Sequence, residues 1–251
     1  MKYAIIGGSG LARLAGLQDV RRQVVRTPYG DPSGPLTYGK LGGVELIFLA
    51  RHGYGHTIAP HEINYRANMW ALRQAGVDGV VAVATVGGIR SDYEPGTLVL
   101  PDQVIDYTHG RRGTFFEGPE QPVTHIDFTV PYDDAVRARL ARAAANRGLA
   151  LALVGTYGCT QGPRLETAAE IRRMERDGCD LVGMTGMPEA SLARELGLAY
   201  ATLAVVANHA AGKGESREAI SMEAIAVVLE AAMGRVLDLL AEFVRLLVNR
   251  D

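Results

Sequence analysis

Short apolar runs alternate with amphipathic stretches along most of this chain. YAII, VELIFLA, GVVAVAT, TLVLPDQVI, LALALVGTYG, CDLVGM and LAYATLAVVA are apolar and rich in β-branched residues, with lengths that suit buried strands. Between them, EINYRANMWALRQAG, DDAVRARLARAAANRG, ETAAEIRRMERDG and MPEASLARELG place apolar residues at helical spacing. The alternation predicts an α/β fold: one domain over residues 1–251, with a mixed, mostly parallel central sheet flanked by helices. From about Ser221, the residues Ile225, Leu229, Met233, Val236, Leu240 and Val244 recur at helical intervals and predict one long helix packed on the sheet. The Gly/Pro/His-rich segment from 109 to 132 is the one long irregular piece, and loops of that length usually carry a function.

Local signals fix some boundaries. Thr167 and Glu170 have the spacing of a capping box, so a helix starts there, and Gly178 ends it. Glu166 is thereby held one residue ahead of a helix and just after a Gly-Pro turn. Pro188 is expected at the first position of another helix, with Glu189 in its first turn.

Composition narrows the classes. A chain of 251 residues that is 47% hydrophobic can bury one large core. A net charge of −2 gives no footprint for nucleic acid or an anionic membrane surface. No apolar run reaches the roughly 18 residues of a membrane span, and the start KYAIIGG lacks the pattern of a signal peptide. We therefore expect a cytoplasmic, globular protein. Cys159 and Cys179 form neither a CxxC nor a metal cluster and are expected to be reduced and buried.

Polar residues gather at strand exits. Ser9 follows AII, Arg51 and His52 follow LIFLA, Thr85 follows VAVA, Met184 and Thr185 follow LVG, and Asn208 follows LAVVA. Ligands of open α/β sheets lie outside the carboxyl ends of strands, so these segments predict one shared site. GGSG around Ser9 is either a plain tight turn or a phosphate contact; it lacks the spacing and the acidic partner of a dinucleotide fingerprint. Arg51 is suited to gripping an oxyanion, while His52, His56 and His61 lack the carboxylate or Cys partners of a metal site. Thr185 is either a helix cap or an anion contact at the positive end of a helix.

GGSG, LARHG with HTIAPHEINYRANMWAL, TQGPRLET, GMTGMPEASLARELG and the Asn closing LAVVAN resemble, in order and over nearly the whole chain, the trimeric purine nucleoside phosphorylase and 5′-methylthioadenosine phosphorylase family. The resemblance implies phosphorolysis of a nucleoside, with inorganic phosphate as co-substrate and with no cofactor or metal. It assigns Ser9, Arg51, His52, Thr85 and Thr185 to phosphate and Met184 to the ribose face. Asn208, Arg51 and Glu166 would be the catalytic set. Leu165 would pack on the base, and His125 would reach the site of a neighbouring chain in a homotrimer or a dimer of trimers.

Glu166 and Asn208 bear on which base is taken. A 6-oxopurine presents N1–H, which a carboxylate accepts; adenine presents a bare N1, which it repels. Asn208 suits O6 and N7. The adenine-type relatives carry a small hydroxyl residue and an Asp at these two places, and a further Asp where this chain has Ala210. At the 5′ end, Met222 stands where relatives acting on inosine and guanosine place a His, and its thioether suits a methylthio group. The combination implies S-methyl-5′-thioinosine as substrate. A general inosine/guanosine phosphorylase, an adenine-type enzyme, a nucleoside-binding module without turnover and a dinucleotide oxidoreductase are the alternatives.

Overall fold

Strands β5 (Gly79–Gly88) and β10 (Ala199–His209) run parallel along their whole lengths and form the spine of the sheet. The computed structural model describes residues 2–11, 13–119 and 122–248. On its other side, β5 pairs in parallel with β1 (Tyr3–Gly7), and β1 in turn with β4 (Val44–Ala50). Antiparallel strands β3 (Leu36–Leu41) and β2 (Gln18–Gln23) extend that edge. Strand β6 (Leu98–Val99) pairs antiparallel with β10. At the far end, β7 (Gln103–Asp106), β8 (Thr156–Cys159) and β9 (Leu181–Gly183) run parallel to one another, and β9 meets β5 antiparallel.

Alternation along the strands builds a core on each face. Ala4 and Ile6 of β1 and Val80, Ala82 and Ala84 of β5 face one cluster, which also takes in residues of α1 (Tyr65–Gln74) and α4 (Gly186–Glu195). Tyr3, Ile5, Val81, Val83 and Leu203 face the other, closed by α2 (Asp134–Asn146) and α5 (Met222–Val248). The predicted stripe of α5 lies on that core, with Leu229, Val236, Leu240 and Val244 buried. A smaller cluster packs Ile171 and Met174 of α3 (Ala168–Arg176) against Val182 and Ala210. Both cysteines are free and buried. No helix among the described residues is long and apolar enough to cross a membrane.

The structure departs from the sequence reading in several places. TLVLPDQVI is two strands, because Pro101 lacks the N–H that a continuous ladder needs, and the chain changes partner from β10 to β8 across it. LALALVGTYG is extended strand only from Thr156, with Ala152 making an isolated bridge to Val99. The helical span of α4 opens at Gly186, but Met187 is extended, so the regular helix begins at Pro188, the position the sequence predicts. Strands β2 and β3 were not foreseen. Every residue of β2 is exposed, leaving no apolar alternation to read.

Candidate active site

The site grows from a break in the sheet. β1 leaves β5 after Ala82, and β9 joins it only at Gly87. Residues 83–86 therefore lack a strand partner on that side, where the chain order of the sheet switches. Because β9 runs antiparallel to β5, its exit turns back beside this gap. Arg51, just past β4, fills part of it: Nη1 donates to the carbonyl of Val83 at 2.9 Å. Gly8, just past β1, must be glycine here, since a Cβ would lie 2.7 Å from that same oxygen and 2.8 Å from Arg51 Nη1.

A cavity of about 470 Å³ opens at the break, within the range of small-molecule sites. Ser9, Arg51, His52, Thr85 and Thr185 line it. So do Leu165, Glu166, Met184, Asn208 and Met222. Met222 is the first residue of α5 and 64% exposed, beside the apolar Ile220, Ile225 and Leu229 of the wall. His125 is exposed and is not part of the cavity formed by a single chain. Of the histidines that follow His52 after β4, His56 lines the cavity and His61 does not.

Arg51 is 1% exposed and held by a buried carboxylate. Its Nε and Nη2 donate to the two oxygens of Glu189, each at 2.8 Å, and Tyr200 donates to Glu189 Oε2 at 2.9 Å. Burial opposes the charge on Arg51, but Glu189 outweighs it and holds the pKa above the ordinary arginine value. Three of the five guanidinium N–H groups are thus engaged, leaving two for a ligand.

His52 donates from Nδ1 to the carbonyl of Ile58 at 2.9 Å. Burial, then the charge of Arg51, pushes its pKa down to about 4, so the ring is neutral near pH 7. The Thr85 hydroxyl donates to the Ser9 carbonyl at 3.0 Å. Thr185 caps α4 without a side-chain cap bond and lines the cavity beside the positive end of that helix.

Glu166 is half-buried at the other end. The Thr160 hydroxyl donates to Oε1 at 2.5 Å. Burial raises the pKa of Glu166 above the usual carboxylate range, and the Thr160 bond opposes the rise. The segment is rigid for local reasons. The Thr167–Glu170 capping box is formed on both sides, and Arg164 clamps Glu170 at 2.7 and 2.8 Å. Asn208 lies at a β-bulge, where the register of β10 shifts between Val206 and Asn208. Its Nδ2 donates to the His209 carbonyl at 2.6 Å, which leaves one N–H and the amide oxygen free.

Two contributors escaped sequence reading. Glu189 passed for a helix-start carboxylate. Arg111, within the long irregular segment, makes six hydrogen bonds. They run to Gln161 Oε1, Tyr65 Oη and the carbonyls of Met184, Met187, Thr160 and Gln161. It ties the loop that carries Glu166 to the loop that carries Met184 and Thr185. Only the length of the segment hinted at such a task.

Fold and cavity together define an α/β enzyme with an anion-suited pole and a planar-base-suited pole in one pocket. The sequence profile of the phosphorylase superfamily matches residues 2–245. The chain belongs to that superfamily and is a pentosyltransferase of it. It is 54% identical over 234 residues to a probable S-methyl-5′-thioinosine phosphorylase of Pseudomonas syringae pv. tomato, covering 93% of this chain and 94% of that protein. It is 50% identical over 216 residues to a 6-oxopurine nucleoside phosphorylase of Pyrococcus furiosus, covering 84% of this chain and 80% of that one. A solved methylthioadenosine phosphorylase from Schistosoma mansoni in complex with adenine superposes with a TM-score of 0.95 at 33% identity, over 100% of this chain and 93% of the other.

Proposed function

We propose that the enzyme cleaves 6-oxopurine nucleosides with phosphate, and that S-methyl-5′-thioinosine is its preferred substrate, yielding hypoxanthine and 5-methylthioribose 1-phosphate. The observation that carries this reading is Glu166: a carboxylate in the cavity, fixed by Thr160, among residues that can hold a base. It accepts from N1–H of a 6-oxopurine. The free N–H of Asn208 faces O6, and its amide oxygen accepts from N7–H. Adenine would leave buried groups unpaired, which is how hydrogen-bonding sites discriminate strongly.

In the reaction, a phosphate oxygen bonds to the anomeric carbon while the bond from that carbon to N9 breaks. The electron pair goes to the purine, which gains a proton, and the hydrogen phosphate overall gives one up. Ser9, Arg51, His52, Thr85 and Thr185 position the phosphate, and Met184 borders the sugar. Leu165 packs on the base. Catalysis is then a matter of orientation and of stabilising charge as it develops on the departing base. The reading requires phosphate as co-substrate and invokes no cofactor or metal.

Met222, with Ile220 and Leu229 nearby, supports a methylthio group at the 5′ end. The named 6-oxopurine relative favours a second reading, a general inosine/guanosine phosphorylase. We assign the enzyme to the cytoplasm and to a homotrimer, or dimer of trimers, in which the exposed His125 completes a neighbour's 5′ pocket. A panel of methylthioinosine, inosine, guanosine and methylthioadenosine, each with and without phosphate, tests the proposal. Methylthioinosine should exceed methylthioadenosine in kcat/KM by roughly a hundredfold or more. Adenine release at equal efficiency would overturn it.

A further inference from the structure

The anion end of the cavity contains an atom that can only accept a hydrogen bond. His52 Nδ1 lies 2.9 Å from the carbonyl oxygen of Ile58, and a carbonyl never donates, so the ring proton is on Nδ1. A second proton on the ring would stand beside the Arg51 guanidinium, with the His56 ring 4.6 Å away, and the Glu189 charge that could offset it is already bound to Arg51. Nε2 therefore presents a lone pair. It has no hydrogen-bond partner among the described residues, and His52 lines the cavity with Ser9, Arg51 and Thr85. Thr85 adds a second acceptor, since its hydroxyl proton goes to the Ser9 carbonyl.

An acceptor in an oxyanion site repels a bare oxygen and welcomes an O–H. We propose that His52 is a specificity-determining residue that selects a protonated oxyanion, taking the co-substrate as hydrogen phosphate through a P–OH···Nε2 bond and rejecting fully deprotonated tetrahedral anions. The inference rests on the phosphorolysis reading for its biological meaning but not for its measurement. Arg51 supplies two N–H donors to the remaining oxygens, with Ser9 and Thr185 hydroxyls nearby. Sulfate matches hydrogen phosphate in size and charge and can use all of those donors, but it leaves Nε2 facing an oxygen lone pair.

Isothermal titration of the intact wild-type enzyme near neutral pH, with phosphate, arsenate, sulfate and selenate, gives the test. Phosphate and arsenate carry a proton there; sulfate and selenate do not. Each protonated anion should bind at least about tenfold more tightly than its bare counterpart, because the bare one loses a hydrogen bond and strands a buried acceptor. Equal affinities would overturn the inference. In His52→Gln the side-chain amide can turn an N–H toward the ligand, and the gap should shrink to within about threefold. A gap in that variant as wide as in the wild type would also overturn it. If the variant does not fold, the four-anion comparison on the wild type still decides. The titration needs no turnover, so the two readings fail separately. An enzyme that prefers phosphate over sulfate but releases base from no nucleoside sinks the phosphorolysis reading alone. One that turns over with phosphate yet binds sulfate equally well sinks this inference alone.

Discussion

Arg51 and Glu189 lie 138 positions apart in sequence and meet through two parallel 2.8 Å hydrogen bonds in the interior. The pair joins the exit of β4 to the start of α4, so the anion site and the helix that points at it are fixed to each other. Both side chains are essentially sealed from water, at 1% and 0% exposure. Such a pair is more sensitive to the loss of one partner than to the loss of both, although Tyr200 and the Val83 carbonyl would then lose a partner too.

Glu189→Ala should therefore strand the guanidinium and cost about 3–5 kcal/mol of stability. Replacing both, as Arg51→Met with Glu189→Leu, should recover most of that loss while abolishing phosphate-dependent turnover. Urea unfolding of the single and double variants, beside activity, checks the pair. A double variant less stable than the single one would contradict it.

Glu166 sets a pH dependence. Burial raises its pKa, so it takes up a proton at higher pH than an exposed glutamate, whose value is near 4.3. Protonated, it gains an O–H that can donate to a bare N1, and it loses the charge that favours N1–H. As pH falls into that window, kcat/KM for methylthioinosine should drop, while the ratio of methylthioadenosine to methylthioinosine turnover climbs. Glu166→Gln can accept or donate at any pH, so its ratio should be flat. Parallel pH profiles for both substrates provide the comparison.

Removing the Arg111 strap should misplace both ends of the pocket together. Arg111→Met leaves the carbonyls of Thr160, Gln161, Met184 and Met187 without their shared donor. A misplacement of about 1 Å is worth roughly a hundredfold in rate. We expect that loss in kcat/KM together with a higher KM for phosphate. Arg111→Lys, with a single ammonium, should recover only part of it. Steady-state kinetics with each substrate varied in turn would reveal whether one end alone is affected.

Met222→His should exchange an apolar neighbour of the 5′ position for a hydrogen-bonding one. The inosine to methylthioinosine ratio in kcat/KM should rise about tenfold, the scale of a modest pocket change. Stability should stay within about 0.5 kcal/mol, because Met222 is largely exposed at the end of α5. An unchanged ratio would place the 5′ substituent elsewhere.

Legibility in the sequence followed the range of each interaction. The Thr167–Glu170 cap and the α5 stripe depend on neighbours within a turn or two, and their patterns were visible. Strand exits were visible too, because apolar runs ending in polar residues mark them; this is why Ser9, Arg51, Thr185 and Asn208 could be nominated for one cavity. Glu189 and Arg111 were opaque, since their roles depend on partners brought close only by the folded chain. The gap beside Val83–Val86 and the bulge before Asn208 are properties of strand register, which no single segment encodes. β2, polar and wholly exposed, carries no periodic signal at all.

The charge-paired guanidinium at the heart of the anion pole has a kinetic corollary. With its charge cancelled locally and its histidine neighbour uncharged, the pocket projects little long-range field. Phosphate should be recruited by contact rather than by attraction across solvent. Its association rate should then vary only weakly with ionic strength, unlike that of an enzyme that steers an anion with bare lysines.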